Sequence, residues 1–374
     1  MKEKLHKIAL LLPYTAQVWH NLSPAILFVL LINFFLGKKR VHFSYFIYLF
    51  VVYLFGINIY YIIFQGDISR FQYLITMSPL LIIPLALFSE RSGVSVEKLW
   101  KVFIFGTVSV TLIVIPQYFL YPIEKIYIHR PYLGFFISLS TLWSIYFYIK
   151  TREKRYIFVV GFFFLTLLLL VPRMAIFNVA LFFCYYSVEI FSRKKQQRLY
   201  LLFFGIIVLG GMLLNLSMLK HRFFDTLEND PRRIIWKSVD ELISRDDFNL
   251  WVGYGSSEKA HNALRETYYQ HRHDKVNYFW AYDNNYNTHN QFLGELISWG
   301  GIGVFLFSIP FLVLLGKAIR NKDSFAFFTM ISLLSFALVE NVMHRAWTIT
   351  IYPLCFEMIR YRLYEQNKIN RGIL

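Results

Sequence analysis

The sequence predicts an all-α polytopic membrane protein with about 12 transmembrane helices and one long polar loop that holds short helices of its own. Three observations carry this. First, 56% of the 374 residues are hydrophobic and 20% aromatic, with a mean hydropathy of +0.44, and only 17% are charged, against about 25% in ordinary soluble domains. Second, apolar runs of roughly twenty residues recur along most of the chain, each able to cross the ~30 Å hydrocarbon core as a helix. Third, the basic residues fall in short clusters between those runs, which is the orientation signal of membrane proteins. The net charge of +16 is therefore a topology signal and does not indicate nucleic acid.

Twelve apolar segments can be drawn, at 8–20, 22–36, 43–64, 71–88, 99–119, 132–149, 156–172, 174–191, 199–218, 291–315, 324–342 and 346–360. The first two are short and suit a tilted or re-entrant hairpin. The N-terminus, MKEKLHKIALLLPYTAQVW, has a basic start and an apolar stretch but no small-x-small cleavage site, so it reads as an uncleaved first helix. Twelve spans put both termini on one side. The segments that fall on that side carry 24 Lys or Arg, against 5 in the short segments opposite (Arg70, Lys125, Arg130, Arg173 and Arg345). The bias makes both termini cytoplasmic. The two cysteines, Cys184 and Cys355, lie inside apolar runs and suggest no disulfide framework.

The chain divides into helices 1–9 over 1–218, the large loop 219–290, and helices 10–12 with a cytoplasmic tail over 291–374. The loop is placed on the outer side. It carries ten Lys or Arg and eleven Asp or Glu, with Trp236, Trp251, Trp280 and many tyrosines. Disordered segments are poor in aromatics, so the loop is expected to fold back onto the bundle. Within it DPRRIIWKSVDELI, from Asp230 to Ile243, reads as an amphipathic helix with Pro231 in its first turn.

The stretch YNTHNQFLGELISWGGIGVFLFSIPFLVLL, from Tyr286 to Leu315, joins this loop to a spanning helix. His289 and Asn290 sit at the junction, and Gly300 and Gly303 follow. An imidazole here faces the water side near lipid headgroups, where an enzyme acting on a lipid-linked polar substrate needs a base. The plainer alternative makes His289 a helix-start marker and Asn290 a cap. Arg173, in LLLLVPRMAIF, follows Pro172, which breaks the helix. A charge at that depth suits a lipid phosphate or a side chain snorkelling to the interface. Arg232 and Arg233 open the loop helix, and Trp236 shares a face with Arg232. Guanidinium forks suit diphosphate oxygens and indoles stack on sugars, although an exposed basic helix end has the same composition. Arg345, in ENVMHRAW, reads as a second phosphate clamp or as the partner of Glu340. His271 and His273 lack the further ligands a metal site needs and read as solvated loop histidines. GYGS at 253–256 reads as a turn.

Four of these features occur in one order: Pro172-Arg173 between the seventh and eighth spans, Arg232-x-x-x-Trp236 early in the loop, Gly253-x-Gly255 after it, and HN-x9-G-x2-G (His289, Asn290, Gly300, Gly303) entering the tenth span. In this the chain resembles the O-antigen ligase/polymerase superfamily, over about residues 130–360. The resemblance implies a membrane glycosyltransferase of the bacterial inner membrane, with its long loop periplasmic. It would transfer a glycan from undecaprenyl diphosphate without nucleotide or metal cofactor, inverting the anomeric centre. Carried over, His289 would deprotonate the acceptor hydroxyl, and Arg173 and Arg232 would hold the diphosphate, with Arg233, Trp236, Asn290 and Arg345 as further substrate contacts. The pattern of two arginines and a histidine favours a ligase that uses lipid A-core as acceptor. A polymerase extending a growing glycan differs only in the acceptor. A flippase of lipid-linked sugars should show inverted repeats and helices broken at the midplane. No repeat is visible here, and the distinctive residues cluster on one face.

Overall fold

A computed structural model describes residues 2–36, 45–87, 95–121, 126–191, 230–274, 276–343 and 345–370. Among the described residues every regular element is helical, as the sequence predicts. The helices are α1 (Lys2–Val18), α2 (Ser23–Leu36), α3 (Tyr45–Gln65), α4 (Arg70–Met77), α5 (Pro79–Leu87), α6 (Val96–Leu120), α7 (Arg130–Thr151), α8 (Arg155–Leu170), α9 (Arg173–Phe191), α10 (Pro231–Ile243), α11 (Ser257–Gln270), α12 (Val276–Asp283), α13 (Gln291–Arg320), α14 (Ser324–Ala337) and α15 (Ala346–Asn370). The expected span at 199–218, the first residues of the loop and His344 lie outside the described residues.

Among the described residues three helices, α6, α7 and α13, are long and apolar enough to cross a membrane, and the other apolar stretches are shorter. Part of the difference from the hydropathy reading has a local cause. The run 71–88 is two helices, because Pro79 has no N–H to carry the helical hydrogen bonds on, although Ser78 before it keeps helical dihedrals. The run 324–342 stops at Ala337, which leaves Glu340 and Asn341 in a turn. The outer faces of the helices expose Phe105, Leu112, Phe158, Leu165, Phe305 and Leu312, each more than half accessible. Helices this apolar on every side belong in lipid, and the chain is a membrane protein.

Helix α7 is central and packs on α6, α8, α9 and α14. Trp143 of α7 stacks on Trp100 of α6 at 4.2 Å, and Phe135 stacks on Phe336 of α14 at 4.4 Å. A buried polar chain ties three helices. Ser140 donates to Thr107 at 2.7 Å, and Thr107 donates to the Gln17 side chain at 2.6 Å. Such bonds satisfy groups that have no water to turn to.

The loop helices α10, α11 and α12 form a second, smaller core around Ile235, Val239, Leu242, Leu264 and Tyr268, closed by Ile297 of α13. The expected amphipathic helix is α10, with Pro231 at its start and Asp230 as its cap. The loop is stitched to α13 where that helix breaks. Gly300 has φ 65° and ψ −163°, a region open essentially only to glycine. A Cβ there would lie 2.2 Å from the Trp251 carbonyl carbon. The chain around the break finds partners in the loop: Gly301 N–H donates to the Leu250 carbonyl at 2.7 Å, Ile302 N–H to Trp251 at 3.2 Å, and Tyr254 N–H to Ile297 at 2.9 Å. The turn at 253–256 and the glycines of α13 thus form one joint. Arg70, buried beside α3, donates to the Gly255 carbonyl at 3.1 Å and anchors the same joint from the N-terminal side.

Candidate active site

Four segments converge beside α7: the α8–α9 corner, the start of α10, the loop before α13 and the turn after α14. At the corner α8 ends on Val171 in the left-handed region (φ 48°). A Cβ on Gly134 of α7 would sit 2.5 Å from the Pro172 ring, so the bare glycine lets α7 press against the corner and fix the first residue of α9, Arg173. The Arg173 guanidinium is 3.7 Å from an oxygen of Asp230.

Asp230 caps α10 by accepting from the Arg232 amide at 3.0 Å, which sets the direction of the helix. The Arg232 guanidinium then donates to Glu340 Oε1 at 3.0 Å and lies 3.8 Å from Asp230. One turn on, the Trp236 indole donates to the Thr288 carbonyl at 3.1 Å. Both residues of the Arg-x-x-x-Trp face therefore reach the His289 region. Arg233 lies on the exposed side of the helix.

His289 itself has φ 44°, uncommon for a residue with a Cβ. The loop over-determines that conformation. Its amide donates to Asn287 Oδ1 at 3.0 Å, and its neighbours are pinned by Asn341, whose Oδ1 accepts from Thr288 at 2.8 Å and from the Asn290 amide at 3.0 Å. The Asn290 side chain caps α13, accepting from the Leu293 amide at 3.1 Å. Its oxygen is thus committed to the helix start, which is the plainer of the two readings of that residue.

The hub of the cluster is Glu340. Its Oε2 lies 3.3 Å from His289 Nδ1 and accepts from the Tyr132 hydroxyl at 3.3 Å, while its Oε1 takes Arg232. The side chain is only 5% exposed. Burial works to raise its pKa, but the hydrogen bond and charge of His289 and the charge of Arg232 outweigh it and hold the carboxyl below its ordinary value. An ionised carboxylate can only accept. His289 therefore presents Nδ1–H to it, and in the neutral ring Nε2 is left with the lone pair. Arg345 does not form the Glu340 pair that their closeness in sequence suggests. It is exposed, and interacts with Tyr132 and His129. His129 is pushed below its ordinary value by burial and by the Arg345 charge. His271 lies apart from this cluster, bonded to Glu241 at 2.9 Å and Asp274 at 2.7 Å.

A cleft of about 430 Å³ opens beside the cluster, within the roughly 300–1,000 Å³ usual for ligand sites. Arg130, Arg173 and Arg232 supply its charge, and Leu170, Met174 and Phe336 are among its apolar walls. Arg130 enters as the first residue of α7, with its guanidinium 5.0 Å from the Tyr118 ring centre. Against three guanidiniums stand two carboxylates, Asp230 and Glu340, so the cleft keeps a positive excess. An oligoanion with an apolar tail fits such a surface. Glu340, Asp230, Tyr132 and Arg130 are not singled out as site residues by motif. Only the rarity of acidic residues near the ends of apolar runs could point to Glu340.

A family model described as O-antigen ligase matches residues 131–308. The resemblance to the O-antigen ligase/polymerase superfamily is supported over that stretch, which holds Arg173, Arg232, Trp236 and His289 and ends before Glu340 and Arg345. No curated protein matches the chain.

Proposed function

We propose that this chain, whose residues 131–308 match the O-antigen ligase family, is a glycosyltransferase of the bacterial inner membrane. It would move a glycan from undecaprenyl diphosphate onto an acceptor hydroxyl at the periplasmic face, with lipid A-core as the acceptor and both termini cytoplasmic. The observation that carries the reading is the guanidinium-lined cleft that abuts the His289–Glu340 pair.

In this reading the diphosphate lies along Arg173 and Arg232, with Arg130 as a third contact, and the prenyl chain leaves over the apolar wall into lipid. The acceptor oxygen attacks the anomeric carbon as the bond from that carbon to the phosphate oxygen breaks. The hydroxyl proton passes to His289 Nε2, and the electron pair of the broken bond stays on the departing diphosphate. Guanidinium groups aimed at that charge are worth about 10²–10³ in rate each, by analogy with other preorganised donors. Glu340 fixes the tautomer of the base and balances the imidazolium that forms. Trp236 and Asn290 act by holding the His289 loop. Arg233, on the exposed side of α10, remains a proposed contact for substrate.

A polymerase uses the same chemistry with a growing glycan as acceptor. Deleting the gene and running surface polysaccharide on a gel separates the two. Loss of all long chains from lipid A-core, with polymer still built on the carrier, marks a ligase. A single repeat unit on the core marks a polymerase. Unchanged surface polysaccharide would reject both.

A further inference from the structure

A second cavity, of about 240 Å³, is lined by Asn287 and Thr288, just before His289, and by Asn341, just after Glu340. The turn after α14 divides the two spaces. Val339 lines the arginine cleft, Asn341 lines the second cavity, and Glu340 stands between them holding Arg232 and His289. On the His289 side, Asn287 and Thr288 line the second cavity.

The chemistry of the two spaces differs. The first offers guanidinium groups and apolar walls. The second is faced by amides, a hydroxyl and an imidazole: Asn285, Asn287, Asn341, Thr288 and His261, with the Arg345 guanidinium among its described lining. Asn341 and Asn287 use their side-chain oxygens to hold the His289 loop, and each amide NH₂ adds two donors. His261 bonds Asn285 at 2.9 Å, which links α11 to the loop across the cavity. Groups of this kind read neutral hydroxyls, and the volume falls below the roughly 300–1,000 Å³ of drug-sized sites, closer to one sugar ring than to a chain.

We infer that this cavity is the acceptor subsite, taking one uncharged sugar ring at the end of the acceptor glycan and presenting its hydroxyl to His289. The inference rests on the glycosyl-transfer reading and adds to it the class of group recognised and the residues that recognise it. The acceptor oxygen would then meet the anomeric carbon on the face opposite the departing diphosphate, which is what inversion requires.

The test uses the full chain in nanodiscs, with Cys184→Ser removing the exposed native thiol. His261→Cys reports on the second cavity, Met174→Cys on the first, and Asp283→Cys, on an exposed position, is the control. Maleimide labelling at 261 is expected to slow several-fold with at least one of glucose, galactose or N-acetylglucosamine, while labelling at 283 stays constant. Undecaprenyl diphosphate is expected to slow labelling at 174. Asn287→Asp keeps the oxygen that holds the His289 amide and removes the NH₂ donor. It should raise the acceptor KM about tenfold, near the value of one hydrogen bond, with the donor KM unchanged. No protection at 261 by any of the sugars, or an unchanged acceptor KM in Asn287→Asp, overturns the subsite. Protection at 261 by sugar with none at 174 by undecaprenyl diphosphate keeps a sugar site and overturns the donor reading instead.

Discussion

The carboxylate of Glu340 stands 3.3 Å from Nδ1 of His289, across 51 residues of chain, and grips Arg232 with its other oxygen. A buried carboxylate shared between a base and a phosphate-facing guanidinium couples the two halves of the proposed reaction. Glu340→Gln keeps the shape and removes the charge. Its amide can donate to Nδ1, which would put the ring proton on Nε2, where it blocks proton uptake. Turnover is expected to fall about 10²-fold or more, in line with the cost of a wrong tautomer elsewhere. Glu340→Asp should recover part of it. The pH–rate profile is the readout a structural role would not move: the acidic limb of the wild type, where protonation disables the base, should shift in the Gln variant. An unaltered profile with normal kcat would remove Glu340 from the mechanism.

The arginines test the donor side. Arg173→Ala and Arg232→Ala are each expected to lose most transfer activity, and Arg173→Lys to retain part, because lysine keeps the charge and loses the bidentate fork. Arg130→Ala should weaken binding of undecaprenyl diphosphate and leave the acceptor KM alone. Assays with purified carrier-linked glycan separate these effects. Wild-type rates in either Ala variant at 173 or 232 take that residue out of the site.

Much of this arrangement is legible in the sequence, and what is hidden has a physical reason. Helix α10 can be read off because Asp230, Pro231 and the spacing of Ile235, Val239 and Leu242 are local signals. The Gly253-x-Gly255 and Gly300 motifs are visible as motifs, yet nothing local says that they form one joint, since the bond from Gly301 to Leu250 spans about fifty residues. In sequence Arg345, five positions after Glu340, reads either as a phosphate clamp or as the partner of that carboxylate. The end of α14 at Ala337 instead turns the carboxylate inward, toward Arg232 and His289. Helix breaks are hidden for a related reason. Hydropathy counts apolar residues, not unbroken helix, and Pro79 divides one apolar run into α4 and α5.

Gly300→Ala tests the joint. The methyl group would need a backbone region that costs of order 1–3 kcal/mol for a residue with a Cβ, and it would overlap the Trp251 carbonyl. Either the break in α13 or the 249–255 segment must move. Hydrogen exchange should show lost protection at the Gly301 and Ile302 amides, with a lower unfolding temperature in detergent. Retained protection at both amides would mean that the joint tolerates a side chain.

His271 gives the loop a pH dependence separate from the chemistry. The hydrogen bond to Asp274, and then that to Glu241, favour its charged form and raise its pKa above the ordinary 6.5. Its contribution to loop stability is therefore fully present below pH 6.5 and is lost as pH rises through the raised value. Exchange at the α10–α11 contact should accelerate across that window in the wild type. His271→Ala should flatten the dependence. A wild type whose exchange, corrected for the intrinsic rate, ignores pH there would sink the idea.

His289 carries the sharpest prediction. Its imidazole is one-quarter exposed, held in a left-handed backbone by Asn287 and Asn341, with Nδ1 committed to Glu340 and Nε2 left for a proton. Arg232, which lines the guanidinium cleft, shares Glu340 with the imidazole, and Asn287 and Thr288 just before His289 line the amide-lined cavity. Removal of a general base costs about 10²–10⁴ in rate, so His289→Ala should lose turnover in that range. The Arg232–Glu340 bond does not need the imidazole, so the variant should still insert, fold and bind undecaprenyl diphosphate. His271→Ala and His273→Ala should transfer near the wild-type rate, because neither side chain touches the cluster. The comparison to make is transfer rate against carrier binding for all three variants in nanodiscs. Normal transfer by His289→Ala, with either of the other two variants inactive, would put the chemistry on the loop helices and not at the junction with α13.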